Sequence, residues 1–362
     1  MKIAVLVSGG VDSSVALHKL YLQGYEVTAY YLKIWLEDEL SFLGTCPWEE
    51  DIRYVRALCE KLHIPFVVIP LQKEYEDHII SYVLHEIRQG RTPNPDIRCN
   101  ELIKFGFFLK ELHKHDPTCH LVASGHYARV VHEGAKASLW CSADPVKDQT
   151  YFLARLTQEQ LSLIRFPLGD MTKAEVRSYA QKYGLPSCNR KDSQGLCFLG
   201  KIKFSDFVRS HMGERQGSLV EYETDAVLGT HKGYWFYTIG QRKGTGLSGG
   251  PWYVVSKNRE TNTVYLSRSY YSSDKERDQC YATHCHWIDG ERPNNKNCYV
   301  KLRHGALFLN AEIRYINDDL IHIRLEDRDQ GIAPGQFVVM YDGRRCVGSA
   351  MITLYKDGKL YE

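Results

Sequence analysis

The sequence predicts a three-part fold: an α/β N-terminal domain on a parallel sheet, a small central β-rich domain, and a C-terminal antiparallel β-barrel. Three observations predict it. Strand-like and helix-like patterns alternate through the first half, which implies a parallel sheet with helices on both faces. After about residue 203 the chain turns to short alternating strands joined by glycine-rich turns. Its 362 residues also exceed what one small core organises, so two or three domains are expected. The divisions fall at 1–203, 204–275 and 276–362.

"KIAVLV" (2–7) is a buried strand, followed by a helix from about Asp12 to Gln23. "YEVTAYYLKIW" (25–35) is a second strand, 49–63 a helix and "PFVVIPL" (65–71) a third strand. Helices follow near 73–89 and 101–114, then a strand at "HLVASG" (120–125). Ligands of such sheets bind at the carboxyl ends of the strands. Residues 157–186 read as two helices, the second opened by a capping box of Thr172 and Glu175. Beyond 203, "WYVVSKNRETNTVYLSR", "AEIRYINDDLIHIRLED" and "QFVVMYDGRRCVGSAMI" alternate as antiparallel strands do.

Composition narrows the function classes. Hydrophobic content of 43% and charged content of 25% are those of a globular protein. A net charge of +2 leaves any acidic partner to local patches. Neither a signal peptide nor an 18-residue apolar run is present, so a cytoplasmic protein without membrane contact is expected. There, eleven scattered cysteines read mainly as reduced thiols. "CYATHCH" (280–286) alternates like a strand and has the wrong spacing for structural zinc, so no structural metal is expected.

"VSGGVDSS" (7–14) joins the first strand to the first helix. Gly9 and Gly10 let backbone approach an anion, Ser8, Ser13 and Ser14 offer hydroxyls, and the helix start offers amides and the positive end of its dipole. The string is neither GxGxxG nor GxxxxGK[ST], which excludes a dinucleotide fold and a Walker NTPase. Asp12 facing phosphates calls for a Mg²⁺-linked role. Two cysteines stand out. Cys99 closes "GRTPNPDIRC", where Pro93 and Pro95 force an extended loop before a helix expected from Asn100, beside Arg98 and Lys104. Cys197 lies in "KDSQGLCFLG", between turn residues and lysines. Two such thiols can carry a sulfur atom, one as persulfide and the other resolving it as a disulfide.

SGGxDS after a first strand resembles the loop of the ATP pyrophosphatases, which split ATP between the α and β phosphates on an adenine nucleotide alpha-hydrolase-like domain. Through "SGGVDSS", "GRTPNPDIRCNELIKF", "ASGHYAR", "KDQTYFL", "KDSQGLCFLG", "TIGQRKGTGL", "PWYVV" and "APGQFVVMY", nearly the whole chain resembles the bacterial tRNA-specific 2-thiouridylases. That resemblance implies an ATP-dependent sulfurtransferase that adenylates the C2 carbonyl of a wobble uridine. Persulfide sulfur then replaces the oxygen, giving 2-thiouridine, AMP and pyrophosphate.

It implies ATP contacts at Leu6, Val7, Ser8, Gly9, Gly10, Val11, Asp12 and Ser13, with Leu32 and Gly125 near the adenosine. It makes Cys99 the nucleophile, Cys197 the persulfide carrier and Asp96 a general acid or base. Asn94, Pro95 and Asp96 would meet the target base. Lys147, Asp148, Gln149, Arg303 and His304 would contact tRNA, and His126 and Gln336 would take part in recognising it. The sulfur donor is a relay protein or a cysteine desulfurase. The acidic stretch 36–51 departs most from the family pattern. An RNA platform is expected from Arg98 with Lys104, Arg190 with Lys191, Lys201 with Lys203, Arg242 with Lys243 and Arg344 with Arg345, alongside the aromatic run Tyr234–Tyr237.

Two other readings remain open: another adenylating synthetase or tRNA-modifying enzyme, or a non-enzymatic tRNA binder. The first kind would be expected to carry a glutaminase domain or a catalytic N-terminal cysteine if of amidotransferase type. The second gives no reason for two cysteines in basic, turn-rich surroundings.

Overall fold

A computed structural model describes residues 1–34, 48–191, 202–275, 277–329, 331–356 and 359–361. The N-terminal domain is a parallel sheet of β1 (Lys2–Leu6), β2 (Glu26–Lys33), β3 (Phe66–Pro70), β4 (Leu121–Ser124) and β7 (Ile164–Arg165), in the order β3-β2-β1-β4-β7. Strand order runs outward in both directions from β1, with Leu6 registered against Tyr30 on one side and Ser124 on the other. That reversal opens a crevice at the carboxyl ends of the central strands.

Both sheet faces are buried, which is why the strands read as continuous apolar runs. Ile3 and Val5 pack against helices α1 (Val11–Leu22), α2 (Trp48–Leu62) and α7 (Lys173–Lys182). Ala4 and Leu6 face the other way, toward α3 (72–88) and α4 (95–115). Phe105 and Phe108 of α4 are fully buried there, each contributing roughly 2–3 kcal/mol by burial alone. Helix α4 begins earlier than the sequence suggests. Asn94 caps it by accepting from the Ile97 amide at 3.3 Å, and Pro95 takes the first helical position, where its missing N–H costs nothing. Between Cys99 and Phe107 the turns widen to π geometry. Cys99 therefore lies a full turn inside the helix, and the expected start at Asn100 is corrected.

The second half holds two β modules. One is a sheet of β8 (Gly217–Glu221), β9 (Val227–His231), β10 (Tyr253–Asn258) and β11 (Thr263–Ser267), ordered β10-β11-β8-β9. The other is a closed antiparallel barrel of β12 (Gln279–Trp287), β13 (Asn297–Lys301), β14 (Leu309–Tyr315), β15 (Ile321–Leu325), β16 (Phe337–Asp342) and β17 (Arg345–Lys356), sealed where β12 pairs with β17. A hairpin of the first half, β5 (Ala128–Glu133) and β6 (Lys136–Cys141), extends the barrel sheet by pairing β6 with β17. The sequence reading assigned no elements there. It also missed helix α8 (Phe204–Met212), which buries Phe207 and Val208 in the N-terminal core. Between the helices expected over 157–186 lies β7, only two residues long and too short to leave a pattern.

The barrel is bolted to the N-terminal domain by a buried ion pair. Lys301 Nζ on β13 lies 3.0 Å from Asp148 Oδ2, with both side chains at most 2% exposed. Asp148 also accepts from the Ser142 amide and the Thr150 hydroxyl, so its oxygens are satisfied. Tyr151 adds a bond from its hydroxyl to the Phe337 carbonyl (3.0 Å). The aromatic run at 234–237 is a second joint. Tyr234 is buried and donates to the Arg88 carbonyl at 2.6 Å, while Trp235 and Phe236 pack on the N-terminal core. Its expected part in an RNA platform is corrected for Tyr234, whose ring is spent on packing, whereas Trp235, Phe236 and Tyr237 stay half-buried. Removing one member of the buried pair strands the other charge. Asp148→Ala is expected to cost about 3–5 kcal/mol, read as a lower denaturant midpoint, whereas Lys147→Ala, one residue away, changes it by less than about 0.5 kcal/mol.

Candidate functional site

The glycine loop lies at the crevice. Gly9 takes a left-handed φ of +72°, and a side chain there would collide with the Asp51 carbonyl and the Arg190 guanidinium. Gly125, just after β4, comes so close to the start of α1 that a Cβ would sit 2.7 Å from the Ser13 amide nitrogen. Both positions require glycine, and together they leave backbone rather than side chains around the loop. Leu6, Val7 and Val11 bury their side chains in the two cores, so only their backbone can serve a ligand. Ser13 and Ser14 donate their hydroxyls to the Gly10 carbonyl (3.1 and 2.9 Å) and thereby fix the loop. Ser8 remains exposed. Leu32, near the end of β2, packs partly buried beside the same crevice.

Sequence reasoning missed the charges that surround this loop. Asp12 receives Lys173 Nζ at 2.7 Å on both carboxylate oxygens, and the Tyr127 hydroxyl at 2.8 Å. Arg190 donates to the Gly9 carbonyl at 3.0 Å and to Asp51 at 2.7 Å, with its guanidinium 4.6 Å from the Tyr54 ring. Burial pushes the Asp51 carboxyl up, although Arg190 pulls it down. Lys173 lies 161 residues from Asp12, and its only local signal, a place beside the capping Thr172, pointed to helix formation.

The second part of the site is the start of α4. Gln336, in the loop before β16, donates its amide to the carbonyls of Thr92 (3.1 Å) and Pro93 (3.0 Å) and accepts from Asn94 at 3.2 Å. The Thr92 amide donates to the Pro334 carbonyl at 2.7 Å. Gly335, at φ +89°, is needed there because a side chain would strike the Thr92 backbone. The barrel thus clamps the loop that leads into Asp96 and Cys99. Asp96 stands on the first turn of α4, and its carboxyl is raised from the ordinary value by burial, partly offset by Lys104 and His304. Cys99 is 1% exposed within the N-terminal core. His304 crosses from the barrel, stacks on Phe152 at 4.8 Å and donates to the Asp148 carbonyl at 3.0 Å. His126 lies between Phe105 and Phe166, with Nδ1 2.7 Å from the Ser124 hydroxyl. Burial holds it well below the usual imidazole value, so it is neutral at pH 7.

Other expected residues fall differently. Asp148 is buried on Lys301 and cannot reach an RNA with its carboxylate, a correction to its expected contact role. Gln149 accepts from the Tyr127 amide at 2.9 Å. Arg303 is half exposed, 3.4 Å from Asp329. Of the basic pairs, Arg98 is tied to Glu101, Arg190 to Asp51 and Arg345 to Asp289, whereas Arg242 and Lys243 are exposed. Cys197, Lys201 and most of the acidic stretch 36–51 lie outside the described residues. Among the described residues, no three His, Cys, Asp or Glu side chains gather as for a metal ion, and no helix is long and apolar enough to cross a membrane.

Domain-family profiles match consecutive parts of the chain: a "tRNA methyl transferase HUP domain" over 1–201, a "tRNA methyl transferase PRC-barrel domain" over 205–268 and an "aminomethyltransferase beta-barrel domain" over 277–352. A tRNA-specific 2-thiouridylase of Parabacteroides distasonis is 44% identical over 97% of this chain and 99% of its own length. The chain belongs to the 2-thiouridylase family. Further members are similar to the same degree: one from Bacteroides thetaiotaomicron is 44% identical (98% of this chain, 100% of that one), and one from Porphyromonas gingivalis 43% identical (98% and 99%). The profile names speak of methyl transfer, but these relatives match end to end and carry the 2-thiouridylase name. In this family member the crevice and the α4 start are held by separate clamps, Arg190 with Asp51 and Gln336 with Thr92.

The state of Asp96 can be read from stability. Its folded pKa lies above its unfolded one, so the folded form binds the proton more tightly and loses stability as pH rises through that interval. Asp96→Asn, of the same shape and uncharged, is expected to raise the denaturation midpoint at pH 7 and to converge on wild type below the carboxylate range. An equal difference at both pH values would refute the raised pKa.

Proposed function

We propose that this chain makes 2-thiouridine at the wobble position of tRNA, acting as an ATP-dependent tRNA-uridine sulfurtransferase in the cytoplasm. Residues 1–203 form the catalytic domain, 204–275 the central domain and 276–362 the tRNA-contacting barrel. The observation that carries the reading is the start of α4: a half-buried carboxyl, Asp96, one turn before a buried thiol, Cys99, on a loop held by Gln336 and faced by His304.

A pyrophosphate fits the glycine loop. Gly9 and Gly125 leave room at the backbone, α1 directs its first amides there, and Lys173 and Arg190 supply positive charge. Asp12, whose charge Lys173 otherwise balances, would hold Mg²⁺, which would supply positive charge against the phosphates. Leu32 and Gly125 flank the adenosine. ATP supplies the AMP that turns the C2 oxygen into a leaving group, and pyrophosphate departs. Asn94, Pro95 and Asp96 receive the unstacked uridine; Asp96, with its raised pKa, moves the proton on the ring. Cys197 carries the sulfur as a persulfide loaded by a relay protein or a cysteine desulfurase. The terminal sulfur goes to C2 and AMP leaves with the oxygen. Cys99 closes a disulfide with Cys197, which an external thiol reopens with two electrons. Lys147, Arg303, His304, His126 and Gln336 serve tRNA recognition, Gln336 and His304 by shaping the loop and wall that receive the base.

Nucleoside mass spectrometry after incubation with tRNA, ATP, Mg²⁺ and a sulfur source tests this. Cys99→Ser and Cys197→Ser should each lower 2-thiouridine formation by roughly 10³-fold or more while keeping tRNA affinity within about threefold. Cys99→Ser should still accumulate persulfide on Cys197. Thiolation at wild-type rate in either variant would contradict the assignment. Lys173→Met should weaken ATP binding by roughly 10–100-fold, the equivalent of one charged hydrogen bond lost plus Asp12 left unbalanced.

A further inference from the structure

A cavity of about 620 Å³ lies where all three parts of the chain meet, and neither the glycine loop nor residues 94–99 at the α4 start are among the described residues that line it. Its walls are Gln89–Arg91 after α3, Ser256–Glu260 at the end of β10, and β12 with the ends of β17 from the barrel. Among the described residues, five cationic side chains line it, Arg91, Lys257, Arg259, Lys275 and Arg277, against one acid, Glu260. Two of the five are already balanced. Arg91 pairs with Glu86 at 2.6 Å, and Lys275 with Glu223 at 2.8 Å and Asp274 at 3.0 Å.

Among the described residues the other three make no ion pair. Arg277 is 7% exposed, gives its two terminal nitrogens to the Ile332 and Val255 carbonyls (both 3.2 Å), and leaves its buried Nε with no partner. Lys257 donates to one carbonyl, Tyr237 O at 2.9 Å, and burial alone lowers its pKa to about 8. Arg259 is exposed at the rim. Among the described residues neither Arg277 nor Lys257 has a carboxylate partner. Carbonyls satisfy hydrogen bonds but do not neutralise charge, and buried charge without a counterion is strongly unfavourable. Gln89, with its Oε1 buried and unpartnered, adds a polar group to the N-terminal wall.

We propose that this three-way cavity is an anion site that takes a phosphate group between Lys257 and Arg277. A phosphate offers several acceptor oxygens and a charge that both cations lack. Because every domain contributes a wall, occupancy also favours the assembled arrangement of all three. The same chemistry has two sources, free inorganic phosphate and a phosphodiester of bound tRNA, and only the latter rests on the tRNA reading above.

The test uses the full-length protein with the glycine loop filled by a non-hydrolysable ATP analogue. In the first arm inorganic phosphate is titrated by calorimetry and by thermal midpoint. Wild type is expected to bind and gain stability, Lys257→Met to bind at least tenfold more weakly, and Lys257→Arg to keep binding. In the second arm tRNA affinity is measured against salt. If a backbone phosphate occupies the cavity, Lys257→Met lowers the logarithmic slope by about one; if only free phosphate does, the slope is unchanged while the first arm still responds. Arg259→Gln, at the exposed rim, repeats both arms without touching the core. The proposal is overturned if Lys257→Met, with a wild-type circular dichroism spectrum, matches wild type in both arms. Failure of wild type to bind tRNA would overturn the tRNA reading alone and leave the phosphate titration to decide.

Discussion

The buried contact between Asp148 and Lys301 is the constraint on which the site depends. It joins the loop after β6 to barrel strand β13, and no water reaches it to weaken the attraction. It pins barrel strand β13 to the loop after β6, and the neighbouring contacts set the orientation around that point. Lys301 is followed within three residues by His304, which is thereby set over Phe152 and toward Asp96. The neighbouring strand carries Phe337 against Tyr151, and Gln336 just before it reaches Thr92 and Pro93. The barrel is therefore part of the wall around the start of α4. Its shared β6–β17 pairing makes the same point through the backbone.

Charge balance around the glycine loop follows a related logic. A carboxylate at the start of α1 suits the helix dipole but opposes a polyphosphate. Lys173 resolves that conflict, holding Asp12 from α7 across the core that α1 and α7 share. Arg190 plays a comparable part from the end of the 185–191 segment, bridging Gly9 and Asp51. Both cations come from the C-terminal third of the domain. Their positions place positive charge beside the loop only after the sheet and its helices have assembled. Lys191, directly after Arg190, leads into the segment that carries Cys197.

Much was legible because its causes are local. SGGxDS directly after an apolar strand, two prolines ahead of Asp96 and Cys99, and the capping box at Thr172 with Glu175 each specify backbone geometry within a few residues. The strands of the parallel sheet read as unbroken apolar runs because both faces are covered. What escaped lacked a local cause. β7 is two residues long and exists because β4 offers it an edge. The 234–237 aromatics carry the composition of an RNA platform, yet Tyr234 is drawn inward by the Arg88 carbonyl and the packing around it. Asp148 sits between a lysine and a glutamine in a polar string, and nothing nearby reports a lysine 153 residues further on.

The sequence by itself determined the chemistry available: a glycine turn suited to an anion, a carboxyl and a thiol three residues apart, a second cysteine far along the chain, and the alternation that separates α/β from β modules. Those are matters of residue type and short spacing, which periodicity and steric rules govern. Tertiary structure alone decided which charges are balanced. Asp12 meets Lys173, Asp148 meets Lys301, and Arg277 meets carbonyls and the Tyr270 ring but no carboxylate among the described residues, because electrostatic energy depends on distance and burial in space, and neither is written in the distance along a chain.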